Sequence, residues 1–344
     1  MIAPNLKRRL SGVTSTIVRL VPIQARQIGI VAAGPGLPAD IPKISLWRLP
    51  FLTRKVRRVW HARRNNEMLL GIVLRSILRR NLALLFTSAS QRHHTGYTKW
   101  LISKMDAVIA TSDKTAQYLR VPAKVILHGI NTALFDLPEN KSALRQELGL
   151  SDGLLVGCYG RIRHQKGTDV FVDALIKVMP EVPDMTGIVM GRATGKNDQY
   201  LDDLKAKAAN AGLSDRLLFL PEVSVDQMAD WYKILDLFVA PQRWEGFGLT
   251  PVEAMACGVP VIAGRVGAFE EQITEKTGQI IDQGDVDALG NAIVNATQDR
   301  DRLQKQGHAA RLRVEQKFMI EDEAASIINV YRSLLAGRNS RSND

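Results

Sequence analysis

From about Leu154 onward, short apolar runs alternate with amphipathic stretches of helix length, and this alternation limits the fold more than any other feature of the chain. LLVGCY is followed by 168–179, GIVMG by 198–211, RLLFL by 224–234, LDLFVAP by 250–257, and VPVIA by GQIID. Near-continuous apolar strands separated by helices mark a parallel sheet covered on both faces. The second half therefore reads as a doubly wound α/β domain. The first half is less regular, yet GIVAAG, ALLFTS, AVIATS and KVILHG are likewise short apolar runs ending in small or polar residues. It reads as a second α/β domain whose first strand is a stump, because Met1-Ile2-Ala3-Pro4 runs straight into a Ser-Gly-containing turn. Either the start is truncated or the sheet begins one strand short. The expected division is 1–140, 141–320 and 321–344, the boundary falling where NTALFDLPEN gives way to a Lys/Glu-rich helix and then Ser-Asp-Gly. The last segment is expected to be a helix returning to the first domain, followed by the polar tail GRNSRSND.

At 344 residues the chain has room for two such domains, and 45% hydrophobic with 24% charged residues is the balance of a globular protein. Its longest apolar runs, such as LLGIVL after Glu67, fall far short of the roughly 18–20 residues a membrane span needs. The opening MIAPNLKRRLSGVTS lacks a secretory core, so export is not expected. Cys158 and Cys257 lie in no metal-ligand or CxxC spacing and read as small buried residues, which a reducing cytoplasm suits. Charge is uneven: residues 1–140 carry 22 Lys and Arg against 6 Asp and Glu, a balance of +16, whereas residues 141–344 carry 24 against 29, a balance of −5. A first half so basic calls for an acidic partner: nucleic acid, anionic lipid headgroups or an acidic substrate.

Two segments carry chemistry. GRIRHQKG, residues 160–167, follows the first strand of the second domain and precedes a helix from Thr168. Ligands of open α/β sheets collect beyond the carboxyl ends of the strands, so Arg161 and Lys166 would project into that crevice and suit a diphosphate. A solvated loop is the competing reading. The order Lys-Gly-Thr rather than Gly-Lys-Thr argues against a P-loop kinase or ATPase. RWEGFGLTPVEAMACGVPVIA, residues 243–263, places Gly246 and Gly248 in a close-approach loop and starts a helix at Thr250-Pro251. A phosphate there would meet free N–H groups and the positive end of the helix dipole. Glu253 follows Thr250 by three residues, so it reads equally as half of a capping box or as a ligand for a ribose diol, with Glu245 on a sugar hydroxyl. Asp285-Val286-Asp287 reads as a helix start rather than a metal site, and Gly34-Pro35-Gly36 as a turn.

Both segments occur in one domain, in order and about 80 residues apart, and together they resemble glycosyltransferase family 4, whose hallmarks are G-R-x-x-x-x-K-G and the Glu-x7-Glu motif seen here as EGFGLTPVE. HGINTALF at 128–135 resembles the family's interdomain segment, FLPEV at 219–223 its nucleobase loop, and VGAFEEQI at 266–273 its G-G-x-P-E-x-I. In the last, Ala268 and Glu270 replace the second Gly and the Pro, which leaves the local turn geometry open. The resemblance implies a GT-B fold, two doubly wound Rossmann-like domains facing a central cleft, and retaining transfer from a nucleotide sugar with no obligatory metal or other cofactor. It places Arg161 and Lys166 on the donor diphosphate, Glu253 on the ribose, Glu245 on the transferred sugar, Val223 in the nucleobase loop, and Gly246, Phe247 and Gly248 around the sugar and phosphate. Arg161, Lys166 and Glu245 are then the catalytic candidates, and Gly12 stands where the family has a Gly-rich turn facing the diphosphate.

HARRNNE at 61–67 and TSASQRHH at 87–94 resemble segments of lipopolysaccharide core mannosyltransferases of Gram-negative bacteria. That likeness makes His61, Arg63, Arg64, Arg92, His93 and His94 acceptor-binding candidates. It implies mannose transfer from GDP-mannose to an anionic inner-core sugar of a glycolipid, at the cytoplasmic face of the inner membrane. The arginines between 54 and 80, flanking MLLGIVL, would rest on anionic headgroups as a peripheral contact. A family 4 transferase using a UDP-sugar is the nearer alternative. A basic nucleic-acid or membrane-binding protein is the distant one, and for nucleic acid the chain has no zinc spacing, aromatic RNP-like run or helix-turn-helix pattern.

Overall fold

The computed structural model describes residues 1–8 and 12–337, in two compact units. One comprises Met1–Gly129 with the segment from Ile320, and the other Ile130–Met319. The divide follows Gly129 rather than residue 140. Ile130 pairs in parallel with Met319, so the chain enters and leaves the second unit side by side. The helix Lys141–Glu147 is held in that unit because Lys141 and Arg145 both grip Asp236, at 2.7 and 2.8 Å.

The first unit is built on seven parallel strands: β1 Ile2–Pro4, β2 Val31–Ala33, β3 Lys43–Ile44, β4 Arg58–Ala62, β5 Leu82–Ser88, β6 Ala107–Ala110 and β7 Lys124–Val125. Their order is β3-β2-β1-β4-β5-β6-β7. The stump at the start is thus a central strand, flanked by β2 and β4, and the sheet is not one strand short. The helices Gly12–Ala25 and Ile320–Ala336 cover one face through a core including Ile17, Leu20, Ile327 and Tyr331. The other face packs on Met68, Leu74, Leu101 and Ile102. The MLLGIVL run therefore turns Met68, Gly71 and Leu74 inward.

The second unit has six parallel strands: β8 Leu154–Tyr159, β9 Met185–Met190, β10 Leu217–Leu220, β11 Leu237–Ala240, β12 Val261–Gly264 and β13 Gly278–Ile281. Their order, β10-β9-β8-β11-β12-β13, reverses direction between β8 and β11. Both units are thus doubly wound α/β sheets, and a ligand-binding crevice is expected where strand order reverses. Cys158 and Cys257 are buried and free, and burial pushes the Cys158 thiol up to about 12. Among the described residues, no helix is long and apolar enough to cross a membrane.

Candidate active site

The two motif loops of the second unit leave the carboxyl ends of β8 and β11, the neighbouring strands at its switch point. Gly160 and Gly167 bound the first loop. Gly167 has φ +70°, and a Cβ there would stand 1.9 Å from the carbonyl oxygen of Pro241, so the close approach of the two loops needs glycine. Arg243 stitches them together: its guanidinium donates to both Asp169 carboxylate oxygens at 2.7 and 2.8 Å and to the His164 carbonyl at 2.8 Å. Burial alone would raise the Asp169 carboxyl, but the bonds from Arg243 and Tyr200 bring it below its ordinary value.

On this platform Lys166 Nζ donates to Glu245 Oε2, and Glu245 Oε1 accepts the Gly246 N–H at 3.1 Å. Arg161 is exposed and makes no hydrogen bond or ion pair among the described residues. The ensemble therefore offers a free guanidinium beside an ammonium–carboxylate pair that a polar ligand could exchange for itself. Phe247 is buried, and the carbonyls of Phe247 and Gly248 are fixed by the Gln272 side-chain N–H donors at 3.0 and 2.9 Å. Gln272 ends the short helix Phe269–Gln272, which VGAFEEQI forms with Gly267 at φ +60°. One glycine with positive φ therefore suffices for the turn that the departures at Ala268 and Glu270 left open.

The helix Thr250–Ala256 is not opened by a capping box: its cap position is Leu249, without a side-chain cap, and Pro251 occupies its first turn. Glu253 instead accepts a hydrogen bond from Tyr232 Oη at 2.8 Å. Tyr232 is fully buried among Tyr159, Phe238 and Phe135. Val223 is half-buried just before Ser224, which caps the helix Val225–Lys233 in a true capping box with Gln227. Asp285 caps the helix Val286–Thr297 by accepting from the Ala288 N–H at 2.8 Å, and Asp287 pairs with Lys177.

In the first unit, Gly12 is the exposed first residue of its helix, while Arg9, Leu10 and Ser11 of the surrounding turn lie outside the described residues. His61 is 1% exposed and both its ring nitrogens are taken, by Tyr331 Oη at 2.8 Å and Thr87 Oγ1 at 2.6 Å. Burial, helped by Arg63, holds its pKa well below the usual histidine value. Arg64 bonds Asn5 Oδ1, Thr14 Oγ1 and Glu67 Oε1 at 2.9, 3.0 and 2.6 Å, locking β1 to β4 at the switch point of this sheet. These two candidates are thus structural. Arg63, Arg92, His93 and His94 do come together, around a cavity of about 410 Å³ at the carboxyl ends of β4 and β5. His94 Nε2 is buried without a partner, and burial, then Arg92, Lys99 and His93, lower its pKa.

Residues that the sequence reading passed over include Tyr232, Gln272, Arg243 and Asp169. Only the last carried a local signal, an acid in the first turn after the glycine of GRIRHQKG. A further one is Glu323, nearly buried, which accepts from the Gly129 N–H at 2.8 Å and pairs with His128 at 2.7 Å, fixing the start of HGINTALF.

The model of the family described as glycosyl transferases group 1 matches residues 140–313. The chain is 53% identical, over 97% of each sequence, to the lipopolysaccharide core biosynthesis mannosyltransferase LpsB of Rhizobium meliloti (strain 1021). It is 51% identical, over 99% of this chain and 98% of the relative, to the lipopolysaccharide core biosynthesis mannosyltransferase LpcC of Rhizobium leguminosarum bv. viciae. Anabaena HepE, solved in complex with UDP, shares the fold with TM-score 0.84 at 20% identity, over 96% of this chain and 99% of HepE.

Proposed function

Because the chain belongs to the group 1 glycosyl transferases and has their two-domain α/β fold of GT-B type, we propose that it transfers mannose, with retention, from GDP-mannose to an anionic inner-core sugar in lipopolysaccharide core biosynthesis. One observation carries this reading: at the switch point of one sheet, Lys166 on the loop after β8 pairs with Glu245 on the loop after β11, the first loop also carrying Arg161 and the second leading into the helix of Glu253. The near full-length identity to LpsB and LpcC supports mannose as the sugar and the lipopolysaccharide core as the destination.

The donor diphosphate is held by Arg161 and Lys166. Without donor, Lys166 and Glu245 neutralise each other; with donor, the ammonium turns to the phosphates and the carboxylate to the sugar hydroxyls. Charge developing on the leaving phosphate meets cations already in place, which is where most of the rate enhancement arises. Glu253, steadied by Tyr232, takes the ribose diol, and Val223 lies in the nucleobase loop. With no side-chain nucleophile assigned, the incoming hydroxyl attacks the face from which phosphate departs and gives that phosphate its proton. The pocket of Arg63, Arg92, His93 and His94 takes the anionic acceptor sugar. No metal is required, because the cations of the site perform its electrostatic task. The acceptor is a glycolipid, so the protein works at the cytoplasmic face of the inner membrane through its basic first unit.

A thermal-shift screen of GDP, UDP, ADP and their sugars tests the donor. UDP and UDP-sugars are the essential competitors, given the UDP bound by HepE. Stabilisation by GDP and GDP-mannose alone is expected; stabilisation by UDP-sugars alone would overturn the donor assignment.

A further inference from the structure

A cavity of about 1360 Å³ in the first unit lies not at the carboxyl ends of the strands but at their amino ends, beside Asn81, Leu82 and Asp106. The seven residues of β5 separate it from the acceptor pocket by roughly 20 Å at a strand rise of about 3.3 Å per residue. Six cations line it: Arg54, Lys55, Arg57, Arg75, Arg79 and Arg80. The acid among them, Asp106, is already bonded to Arg75 at 2.8 Å and to the Leu84 N–H at 2.6 Å. Arg80 is spent on the Leu78 and Leu52 carbonyls. The side chains of Arg54, Lys55, Arg57 and Arg79 have no hydrogen-bond or ion-pair partner among the described residues, and Arg57 Nη1 is buried in that state. A buried guanidinium N–H without an acceptor is costly, and four unopposed cations around one cavity call for an anion.

Exposed apolar residues on the segments that run into this lining say which kind. Trp47 is 86% and Phe51 84% exposed on the 3₁₀ helix Leu46–Phe51, and Ile77 is 71% exposed on the π-helical turn Val73–Ile77. Arg80 Nη1 to the Leu52 carbonyl and Asn81 Nδ2 to the Arg54 carbonyl tie these two segments together. Exposed Trp and Phe beside a cationic cavity match a bilayer interface, where aromatic rings sit at headgroup level and arginines reach phosphate. A soluble anion would give those rings no partner.

We infer that this cavity is a binding site for the phosphate headgroup of an anionic phospholipid, with Trp47, Phe51 and Ile77 entering the bilayer surface around it. The inference deepens the membrane contact proposed above by naming its site, and it rests on that reading for orientation only.

The test measures binding of the full chain to phosphatidylcholine vesicles with and without phosphatidylglycerol, across a salt series, with inorganic pyrophosphate as the soluble probe. The triple variant Arg54→Gln, Lys55→Gln, Arg79→Asn removes three cations without breaking a side-chain bond. Asn suits the φ of +53° at position 79. With about 1 kcal/mol per cation near an anionic surface, the triple variant should bind phosphatidylglycerol vesicles on the order of 100-fold more weakly. The variant Trp47→Ser, Phe51→Ser should lose the vesicle-induced blue shift of tryptophan fluorescence. Equal binding of wild type to neutral vesicles, wild-type affinity in the triple variant, or pyrophosphate binding without vesicle binding would each overturn the site. Transfer to a detergent-dispersed acceptor keeps the two readings apart. It should be unchanged in the triple variant, and if wild type transfers nothing there, the enzymatic reading fails while the vesicle result still decides the cavity.

Discussion

Replacing Tyr232 by Phe removes one atom from the proposed donor site and nothing else. The ring stays packed on Tyr159, Phe238 and Phe135, at centroid distances of 5.1, 5.4 and 6.0 Å, so no cavity opens. What is lost is the 2.8 Å hydrogen bond to Glu253. A bond to a charged acceptor contributes about 1.5–3 kcal/mol, and because Glu253 is half-buried, where water replaces part of the bond, the lower end applies. For a unit of this size, about 1.5 kcal/mol corresponds to a fall in Tm of roughly 3–6 °C. If Glu253 holds the ribose, its looser carboxylate should also weaken nucleotide binding by up to about tenfold, 1.4 kcal/mol being one decade. Differential scanning calorimetry gives the first number and isothermal titration with GDP the second. A Tm within 1 °C or so of wild type would refute the hydrogen-bond reasoning. A lowered Tm with undiminished GDP affinity would refute the role of Glu253.

Lys166→Ala and Glu253→Ala should both fold, judged by circular dichroism, and lose GDP binding by at least tenfold in titration calorimetry, since each removes a ligand contact and leaves the sheet intact; wild-type affinity in both would remove the donor-site assignment. Turnover should persist in excess EDTA, and a complete, Mg-reversible loss of activity would contradict a site built on Arg161 and Lys166. His61 sets a pH dependence. Its folded pKa lies below 6.5, so the unfolded chain binds the extra proton, and stability present above pH 6.5 is lost as pH falls below it, by up to about 1.4 kcal/mol per pH unit. His94 adds a smaller contribution of the same sign, whereas the lowered carboxyls of Glu323 and Asp236 act only at more acidic pH. Urea unfolding at pH 7, 6 and 5 should show this slope and His61→Asn should flatten it; an unchanged slope would mean that His61 is not buried neutral.

Much of the second unit could be read from its residues alone. LLVGCY is β8 to the residue, and the helix expected over 168–179 is Thr168–Val178, because strands covered on both faces must be apolar throughout. β4 escaped the same reading because Arg58 and His61 interrupt RVWHA. His61 is tolerated in the interior because Thr87 and Tyr331 satisfy its two ring nitrogens, and Tyr331, 270 residues away, is a partner no local pattern announces. The same reason hid Tyr232: Thr-x-x-Glu is a sound local signal for a capping box, but a phenol from the preceding helix takes the carboxylate instead. MLLGIVL shows the limit of reading charge and hydropathy together, since helical periodicity turned Met68, Gly71 and Leu74 into the core, while the most exposed large apolar residues among the described ones of this unit, Trp47, Phe51 and Ile77, lie outside the run. The basic first half was legible as a demand for anionic partners. Its division into the pocket of Arg63, Arg92, His93 and His94 and a second basic cavity at opposite ends of one sheet needed strand order.

The decisive measurement is mass spectrometry of Kdo-terminated lipid A after incubation with the protein and GDP-mannose, alongside parallel incubations with UDP-sugars and a neutral acceptor. One hexose should be added from GDP-mannose, to the Kdo-terminated acceptor alone. No addition from GDP-mannose, with efficient addition from a UDP-sugar, would contradict the donor; equal modification of the neutral acceptor would contradict the anionic pocket.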